Sequence, residues 1–405
     1  MRAAAFLAGL VFVAASPAAA FDPLGDVAVS GYVDVRAVAP AGPTSWLKGG
    51  LGKFRYGSGD SPITFGEGVM QASARLDDGL SAVTVLRLEP RTPSLVDALE
   101  TYLRYAPAGG GDIGWSVKAG AFFPTLSLEN DDLGWASPYT LTPSAINSWV
   151  GDELRTIGSE ATLRWKSGVG TFSALGALFC CNDEAGILIA DRGWSLEDRP
   201  TGLTERVRLP DTTLQLFHKL PDQRTGMFDE IDGGVGWYGG LAWQMPGIGK
   251  LMAMRYDNRA DPDAVSSRDT SWETKYWSFG ARTQVGHLVL IAQQLSGYTA
   301  VAVASGEAET KFQSGFLLAS YDLDDWRLSV REDLFQTRHL SATPHPLSED
   351  GDAFTASLSW SGLDRVRLTG EVIVLHNRRL EYVRAGLGGP DRTDTQLQLD
   401  ARFFL

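Results

Sequence analysis

The sequence has little of what a soluble enzyme or a helical membrane protein contains. After residue 20, no apolar stretch approaches the ~20 residues that a helix needs to cross a bilayer. The chain has 36 basic against 49 acidic residues, which argues against nucleic acid as a partner. It also lacks a Pro/Ser-rich linker, a low-complexity tract and any break in composition, so we expect one continuous architecture.

Cysteine and histidine are scarce, and neither forms a recognisable site. The two cysteines, Cys180 and Cys181, are adjacent; they could form a vicinal disulfide or stay thiols, and we interpret them as small residues at a strand end. The five histidines lie in no catalytic motif, because the chain contains neither G-x-S-x-G nor H-E-x-x-H. We therefore expect no catalytic residues, no metal and no cofactor. A Ser/His pair assembled across adjacent strands is an alternative that spacing would not reveal.

The first twenty residues predict export. Arg2 precedes an apolar run that ends in the alanines 18–20, a pattern that signal peptidases cut, and the run is too short for a membrane anchor. We expect residues 1–20 to be a cleaved signal peptide and residues 21–405 to be a single mature domain. Cleavage would leave 385 residues and, with the loss of Arg2, take the net charge from −13 to −14.

Apolar and polar residues alternate with a period of two along the mature chain, and helical periodicity is almost absent. Sixteen segments carry this alternation, and most have the ~10 residues of a strand that crosses a membrane with one apolar face. The segments are 27–38, 67–76, 80–88, 97–105, 113–122, 154–166, 170–181, 233–245, 250–258, 270–284, 286–296, 310–321, 326–337, 353–360, 365–377 and 394–405.

The connections between these segments alternate between short and long. Seven are short turns rich in Gly, Asp and Pro, and most of the intervening eight are long, including 123–153, 182–232 and 297–309. This sorting is typical of an up-and-down barrel with both termini on the short-turn side, whereas a soluble sandwich gives no reason for it. The sequence therefore predicts an all-β, transmembrane antiparallel up-and-down β-barrel of about 16 strands.

The side chains of the predicted strands separate into two faces. In "WSVKAGAFF", Trp115 and Val117 oppose Ser116 and Lys118. In the last segment, "QLQLDARFFL", apolar residues occupy every odd position up to Leu405. We interpret this segment as the strand that closes the barrel against the first one and continues its lipid-facing band.

Cations recur on the polar face of the first six predicted strands. Neighbouring strands lie ~4.8 Å apart, so these cations would form a basic ladder that attracts anions into a pore. Acidic residues on the same faces, such as Asp34 and Glu160, support a salt-bridged lattice as the alternative, and the sequence leaves both open. The predicted pore-lining cations are Arg36, Arg75, Arg87, Arg104, Lys118 and Arg164.

Two long connections have the composition of a constriction or a plug. Residues 123–153 combine an acidic cluster with a helix expected to start at Pro143, and we expect this loop to fold inward and narrow the pore, its acidic residues facing the six cations. Residues 182–232 form a long outer loop or plug, since "AGILIADRGW" and "TTLQLFHKL" are apolar enough for strand-like or plug elements. The acidic cluster of the constriction loop consists of Glu129, Asp131 and Asp132.

These features together resemble the bacterial outer-membrane porins, in which a constriction loop also follows the fifth strand. The segment "KAGAFFPTLSLEN" is similar to the K-x-G-x-F-x-P-x-x-x-x-E segment of the phosphate-selective porin group, without that group's lysine and arginine loop signature. The resemblance implies a homotrimer and a terminal aromatic address for the barrel insertion machinery, although the last residue here is Leu405. The matching positions are Lys118, Gly120, Phe122, Pro124, Glu129 and Asn130.

We therefore predict a porin-like channel of the Gram-negative outer membrane for passive diffusion of small hydrophilic solutes, with anion preference left open. Outer-membrane lipid and lipopolysaccharide would surround it, and we expect no enzymatic activity. The alternative is a non-conducting barrel, an enzyme or an adhesion and scaffold protein, whose lumen is plugged by 123–153 and 182–232.

Overall fold

The computed structural model describes residues 27–90, 94–109, 111–210, 224–303, 306–340 and 345–405, so the predicted signal peptide lies outside the described residues. The described residues form a closed antiparallel barrel of sixteen strands, which confirms the predicted fold. The barrel strands are β1 (Val27–Ala39), β2 (Ile63–Asp77), β3 (Leu80–Leu88), β4 (Val96–Tyr105), β5 (Ile113–Phe122), β6 (Thr156–Ser167), β7 (Gly170–Cys180), β10 (Gly236–Met245), β11 (Gly249–Asp257), β12 (Glu273–Val285), β13 (Leu288–Val303), β14 (Gly306–Leu323), β15 (Trp326–His339), β16 (Glu349–Leu363), β17 (Val366–Arg379) and β18 (Asp391–Phe404).

Shorter elements lie in the connections. They are a 3-10 helix, η1 (Trp46–Lys48), the helices α1 (Ala145–Glu153), α2 (Ile187–Asp191) and α3 (Glu381–Arg384), and a separate two-stranded sheet of β8 (Arg206–Arg208) and β9 (Arg224–Gly226). No helix among the described residues is long and apolar enough to cross a membrane. We call the end of the barrel with the short turns the turn end, and the opposite end the loop end.

All sixteen predicted segments fall on barrel strands, but one predicted loop is wrong. The connection expected at 297–309 is mostly strand, because β13 continues to Val303 and β14 begins at Gly306, with these two residues paired. The alternation is broken in the sequence at Gly297. A Cβ atom at that position would lie 2.1 Å from the carbonyl oxygen of Lys275, so the close approach of β12 requires glycine.

The two faces of the strands differ as predicted. Leu241 and Leu317 point outward with about two thirds of their surface exposed, at 68% and 67%, whereas the inward-facing Ser278 and Thr355 are fully buried. The exposed apolar side chains form an outer band that lipid would cover. At the turn end, Trp326 and Trp360 lie side by side with ring centroids 6.2 Å apart, as expected for an interfacial aromatic girdle.

The closing seam joins β1 to β18 over eight residue pairs. On its inner face, Arg36 lies opposite Asp400 and Asp34 lies opposite Arg402, so both cross-strand pairs unite opposite charges. The corresponding ion pairs measure 3.2 Å each. The predicted role of the final strand as the closing strand is confirmed, since its odd-numbered side chains, including Leu399, are exposed outside.

Candidate functional site

The loop-end half of the lumen is filled by three connections. They are L1 (residues 40–62) after β1, L3 (123–155) after β5 and L4 (181–235) after β7. We call residues 123–155 of L3 and 182–210 of L4 the plug, because about three quarters of them are buried. Residues 123–155 bind the inner faces of β13, β15 and β17, and the narrowing of a pore by 123–153 stays a prediction. Within "AGILIADRGW", Ile187–Asp191 form the helix α2. The segment "TTLQLFHKL" lies outside the described residues.

Helix α1 of L3 is docked by its N-terminus. Ser144 is the N-cap and accepts a hydrogen bond from the Asn147 amide, so the helix starts after Pro143 and not at it. Glu129 accepts hydrogen bonds from the amide of Ser144, and Asp333 of the barrel wall accepts one from the amide of Ala145 at 3.0 Å. Two carboxylates therefore occupy the positive end of the helix dipole.

Arg331 on β15 holds this arrangement together. Its guanidinium group is fully buried and lies 2.9 Å from Glu129 and 2.6 Å from Asp333. It also donates to the backbone carbonyl oxygens of Thr142 and Pro143, at 2.7 and 3.0 Å. The planar guanidinium group has five N–H donors. This single wall residue therefore binds both the carboxylate of Glu129 and backbone carbonyl oxygens of L3.

Other wall residues bind the backbone of L3 directly. Glu371 on β17 accepts hydrogen bonds from the amides of Leu141 and Thr142, the first at 2.7 Å. Gln293 on β13 donates to the carbonyl oxygen of Leu126 at 3.1 Å. L3 thus crosses the lumen from β5 to the wall formed by β13 to β17, where buried polar groups of the wall replace water around its backbone.

L4 is attached to L3 through Glu153, the last residue of α1. Its carboxylate accepts hydrogen bonds from the amides of Gly186, Leu188 and Ile189, at the N-terminus of α2. Burial raises the pKa of Glu153 from 4.5 to about 7. At the other end of α2, Arg379 donates to the carbonyl oxygen of Asp191. The helix is therefore held between a carboxyl group at its positive end and a cation at its negative end.

An apolar cluster fills the space between these polar contacts. Trp149 of α1 is fully buried, and its ring centroid lies 5.1 Å from Phe312, 5.6 Å from Tyr276 and 6.0 Å from Trp194 of L4. The plug is thus packed like a protein core inside the barrel.

The space left between L3 and L4 is small. A cavity lined by Trp135, Asn147, Glu197 and Arg199 measures about 10 Å³, which is room for one water molecule.

Two of the six predicted pore-lining cations are buried in ion pairs with the plug or the seam. Arg36 pairs with Asp34 at 2.9 Å and also with Asp198 of L4. Arg87 pairs with Glu205 of L4 at 2.9 Å. For these two arginines, the geometry matches the salt-bridged lattice, because a guanidinium that is fully enclosed by protein cannot meet a diffusing ion.

Of the other four cations, Arg75, Arg104 and Arg164 lie near the turn end of their strands, and Lys118 lies in the middle of β5, where it donates to the hydroxyl group of Thr125 of L3 at 3.4 Å. Arg75 and Arg104 both lie opposite Ser81, and Arg104 lies opposite Lys118, so three of the cations share one registered row on β2, β4 and β5. Lys118 pairs with Glu160 at 3.2 Å.

Arg164, the fourth of these cations, is exposed on β6. In the described part of the chain, no carboxylate oxygen lies within 4.0 Å of Arg75, Arg104 or Arg164. We call the turn-end space that Arg75, Arg104, Lys118 and Arg164 line the basic vestibule.

The acidic cluster of L3 faces cations on a different wall from the one expected. Each of its three carboxylates binds one arginine of β12, β15 or β17, and none of these belongs to the six that the sequence singled out. The expected partners were wrong because L3 is long enough to carry the acidic cluster across the lumen to the far strands. The pairs are Glu129 with Arg331, Asp131 with Arg282 at 2.6 Å, and Asp132 with Arg367 at 3.7 Å.

The wall residues that bind L3 were not predicted, because only the cations of the first six strands were considered as lumenal groups. Arg331, Asp333 and Glu371 occupy inward positions of strands that were themselves predicted, so the alternation could have marked them as lumen-facing. Their binding to L3 had no such signal, because about 190 to 230 residues separate the partners.

Comparison with known proteins gives the same architecture. No family model and no curated protein matches the sequence. Among solved structures, the chain is similar to OmpT, an outer membrane protein of Vibrio cholerae, in its in-vitro folded trimer form, with 9% identity, coverage of 94% of this chain and 99% of that chain, and a TM-score of 0.51. The chain has the fold of a bacterial outer-membrane porin.

Two further structures are similar over comparable lengths. OmpF of Salmonella typhi, in complex with daunomycin, is 11% identical over 94% of this chain and 97% of that chain, with a TM-score of 0.49. OprB of Pseudomonas putida is 10% identical over 94% of both chains, also with a TM-score of 0.49. At this level of identity the likeness concerns the porin fold alone, and function has to be argued from the site.

Proposed function

We propose that this porin-like barrel is a channel of the Gram-negative outer membrane that passes small hydrophilic solutes, with a preference for anions, and that the plug is its gate. The observation that carries the proposal is the basic vestibule. Arg75 and Arg104 both lie opposite Ser81, and no carboxylate of the described residues screens the repulsion between their like charges, whereas the charge of the neighbouring Lys118 is balanced by Glu160. An anion entering from the turn end would relieve this repulsion.

Because the plug fills the loop end of the lumen, the channel can conduct only if the plug moves. Lumen-facing residues at the loop end are buried on strands all around the barrel, among them Arg87, Tyr256, Thr299 and Gln398. Passage of a solute therefore requires L3 or L4 to move. Ion pairs and hydrogen bonds join the plug to the wall, and such contacts can be exchanged for water when the loop is displaced.

Planar-bilayer recordings of the refolded mature protein test this proposal. We expect channels of low open probability and a reversal potential in a salt gradient that indicates anion preference. Replacing Arg75 and Arg104 by alanine should shift the reversal potential toward cations. Arg365→Ala is the matched control, because Arg365 lies in a turn with its side chain 70% exposed. A cation-selective channel that the two lumenal replacements leave unchanged would refute the role of the vestibule.

The second candidate is a non-conducting barrel, which the filled loop end specifically favours. In that case the protein would be a scaffold or adhesion protein that exposes its loops at the cell surface, and we propose no catalytic role for it. Absence of channels in the wild-type protein and in variants with a loosened plug would establish this candidate over the first.

We also propose that the barrel associates with copies of itself through an outer groove over β11 to β18. The groove measures about 1260 Å³, and Gln294 and Glu332 line it. Glu332 is exposed on the outer face between its register partners Leu317 and Phe354, inside the apolar band. A carboxylate in contact with lipid is unfavourable, so a protein surface is the better partner for this face. The similar OmpT was solved as a trimer.

A further inference from the structure

The only two cysteines of the chain lie at the neck of L4, where this loop leaves and re-enters the barrel wall. Cys180 is the last residue of β7 and Cys181 is the first residue of L4, and a disulfide joins them. The amide of Cys181 donates to Glu230, near the other end of L4, at 2.8 Å. Both cysteines are partly exposed at the loop end, so a small reagent can reach the disulfide.

The disulfide restrains the backbone at this neck. The bond closes a ring through the peptide that joins the two residues, so ψ of Cys180 and φ of Cys181 are torsion angles of that ring. Cys181 has a φ of 66°, in the left-handed region. A residue with a Cβ atom seldom adopts this region unless its surroundings hold it there. Opening the ring would leave φ of Cys181 free to return to negative values.

Asn182, the next residue, depends on this backbone conformation. Its buried side chain accepts a hydrogen bond from the hydroxyl group of Tyr256 on β11 at 2.9 Å, and it donates one to the carbonyl oxygen of Glu153 at 2.8 Å. The carbonyl oxygen of Asn182 accepts a further hydrogen bond from Asn258, which follows β11, at 3.1 Å. A rotation about φ of Cys181 would displace all of these groups at once.

The docking of α2 in the lumen depends on Asn182 in turn. Glu153 contacts L4 twice, because its carbonyl oxygen binds Asn182 and its carboxylate binds the amides of Gly186 and Leu188 at the start of α2. Asn182 and Gly186 are separated by only three residues, 183–185. A shift of Asn182 therefore moves the start of α2 relative to the carboxylate that holds it.

We propose that the disulfide of Cys180 and Cys181 is a redox lock that keeps L4 in the lumen, and that a low-molecular-weight thiol opens it. The thiolate of one thiol molecule attacks a sulfur atom of the disulfide, which forms a mixed disulfide and releases the other cysteine as a thiolate that takes up a proton. A second thiol molecule attacks the mixed disulfide, and the products are the second cysteine thiol and the oxidised disulfide of the small thiol. The proposal rests on the role of the plug as the gate of the proposed channel, and it adds the signal that releases L4.

Limited trypsin cleavage after Arg192 measures the release of L4, because this side chain is buried in the plug. The refolded, oxidised protein is compared with the same protein reduced by dithiothreitol, after the reagent has been removed under argon. A thiol titration verifies that the bond is present at first and then open. We expect cleavage after reduction to be faster by roughly five- to thirtyfold, the factor by which a residue with a Cβ atom disfavours the left-handed region.

Two double variants separate the backbone restraint from other effects of the cysteines. Cys180→Ser with Cys181→Ser removes the ring, so it should be cleaved as fast as the reduced wild type and should not respond to dithiothreitol. Cys180→Ser with Cys181→Gly is the matched control, because glycine adopts the left-handed region readily. This control should be cleaved more slowly than the first variant and should also not respond to dithiothreitol. Heat-modifiable migration in gels verifies that the barrel is folded in each form.

Several results would overturn the proposal. They are a reduced wild type that resists trypsin as the oxidised protein does, equal cleavage of the two double variants, an oxidised protein with two free thiols, and loss of the folded barrel on reduction. Planar-bilayer recordings separate the lock from the channel. Release of L4 by dithiothreitol without channel activity would support the lock and contradict the channel, whereas channels whose L4 stays protected in dithiothreitol would contradict the lock alone.

Discussion

Replacement of Arg331 by methionine tests whether the plug is a gate. The change keeps a long apolar side chain in place and removes the guanidinium group that joins β15 to L3. It leaves the carboxyl groups of Glu129 and Asp333 buried without their cation and the carbonyl oxygens of Thr142 and Pro143 without a donor. The apolar packing around Trp149 is not touched, so the perturbation is confined to polar docking.

The expected magnitude follows from the burial of all three charged groups. Arg331, Glu129 and Asp333 have side chains with no exposed surface, and removal of one partner from such a cluster costs about 3–5 kcal/mol. A difference of 1.4 kcal/mol changes an equilibrium tenfold, so displaced L3 should become more populated by a factor of roughly 10² to 4 × 10³.

Single-channel recording and limited proteolysis of L3 measure this change. We expect Arg331→Met to raise the open probability and to expose L3 to protease, and the triple variant with Glu129→Gln and Asp333→Asn to recover part of the closed state, because it removes the unpaired charges as well. Arg365→Met is the control and should behave as the wild type does, since its ion pair is exposed. A resistant L3 and unchanged conductance in Arg331→Met would refute the docking argument, and the apolar core would then be what holds the plug.

The remaining predictions concern pH and association. Because the pKa of Glu153 is raised to about 7, the folded plug favours the protonated carboxyl group. The contribution of this group to the stability of the plug is complete below about pH 4.5 and is lost as the pH rises through 7, by up to about 3 kcal/mol. Cleavage of L4 by protease should thus increase from pH 5 to pH 7 and level off above that, and Glu153→Gln should show no such increase. In the outer groove, Glu332→Arg should dissociate the oligomer seen by light scattering in detergent, whereas Leu163→Arg on the opposite wall should not; equal effects would contradict the proposed interface.

The barrel was predictable because the sequence patterns that specify its strands and turns are local. In β18, the alternation from Gln396 to Leu405 assigns each side chain to a face, and the sorting of connections into turns and loops fixes the order of strands. The prediction failed at Gly297, where a close contact with β12 broke the pattern without ending the strand. The partners of Glu129 were misassigned for a different reason: Arg331 lies 202 residues away, and no periodicity connects the two.

The vicinal pair Cys180 and Cys181 gives another example of this limit. Both residues were interpreted as small side chains at a strand end, and they do lie at the end of β7, but the structure joins them in a disulfide. The sequence contained both alternatives. Cys181 has a φ of 66°, in the left-handed region, and this backbone conformation is not visible in the sequence.

The sequence by itself determined a barrel of sixteen strands, its apolar outer band and its closure by the last strand, because strand periodicity and turn chemistry are read within about ten residues. Only the tertiary structure decided that the loop end is filled, that Arg36 and Arg87 are buried in ion pairs, and that Arg75, Arg104 and Arg164 line the vestibule with no carboxylate of the described residues within 4.0 Å. Closure of the barrel brings the far wall opposite L3, although the two are far apart in the sequence, so no local pattern predicts their contacts.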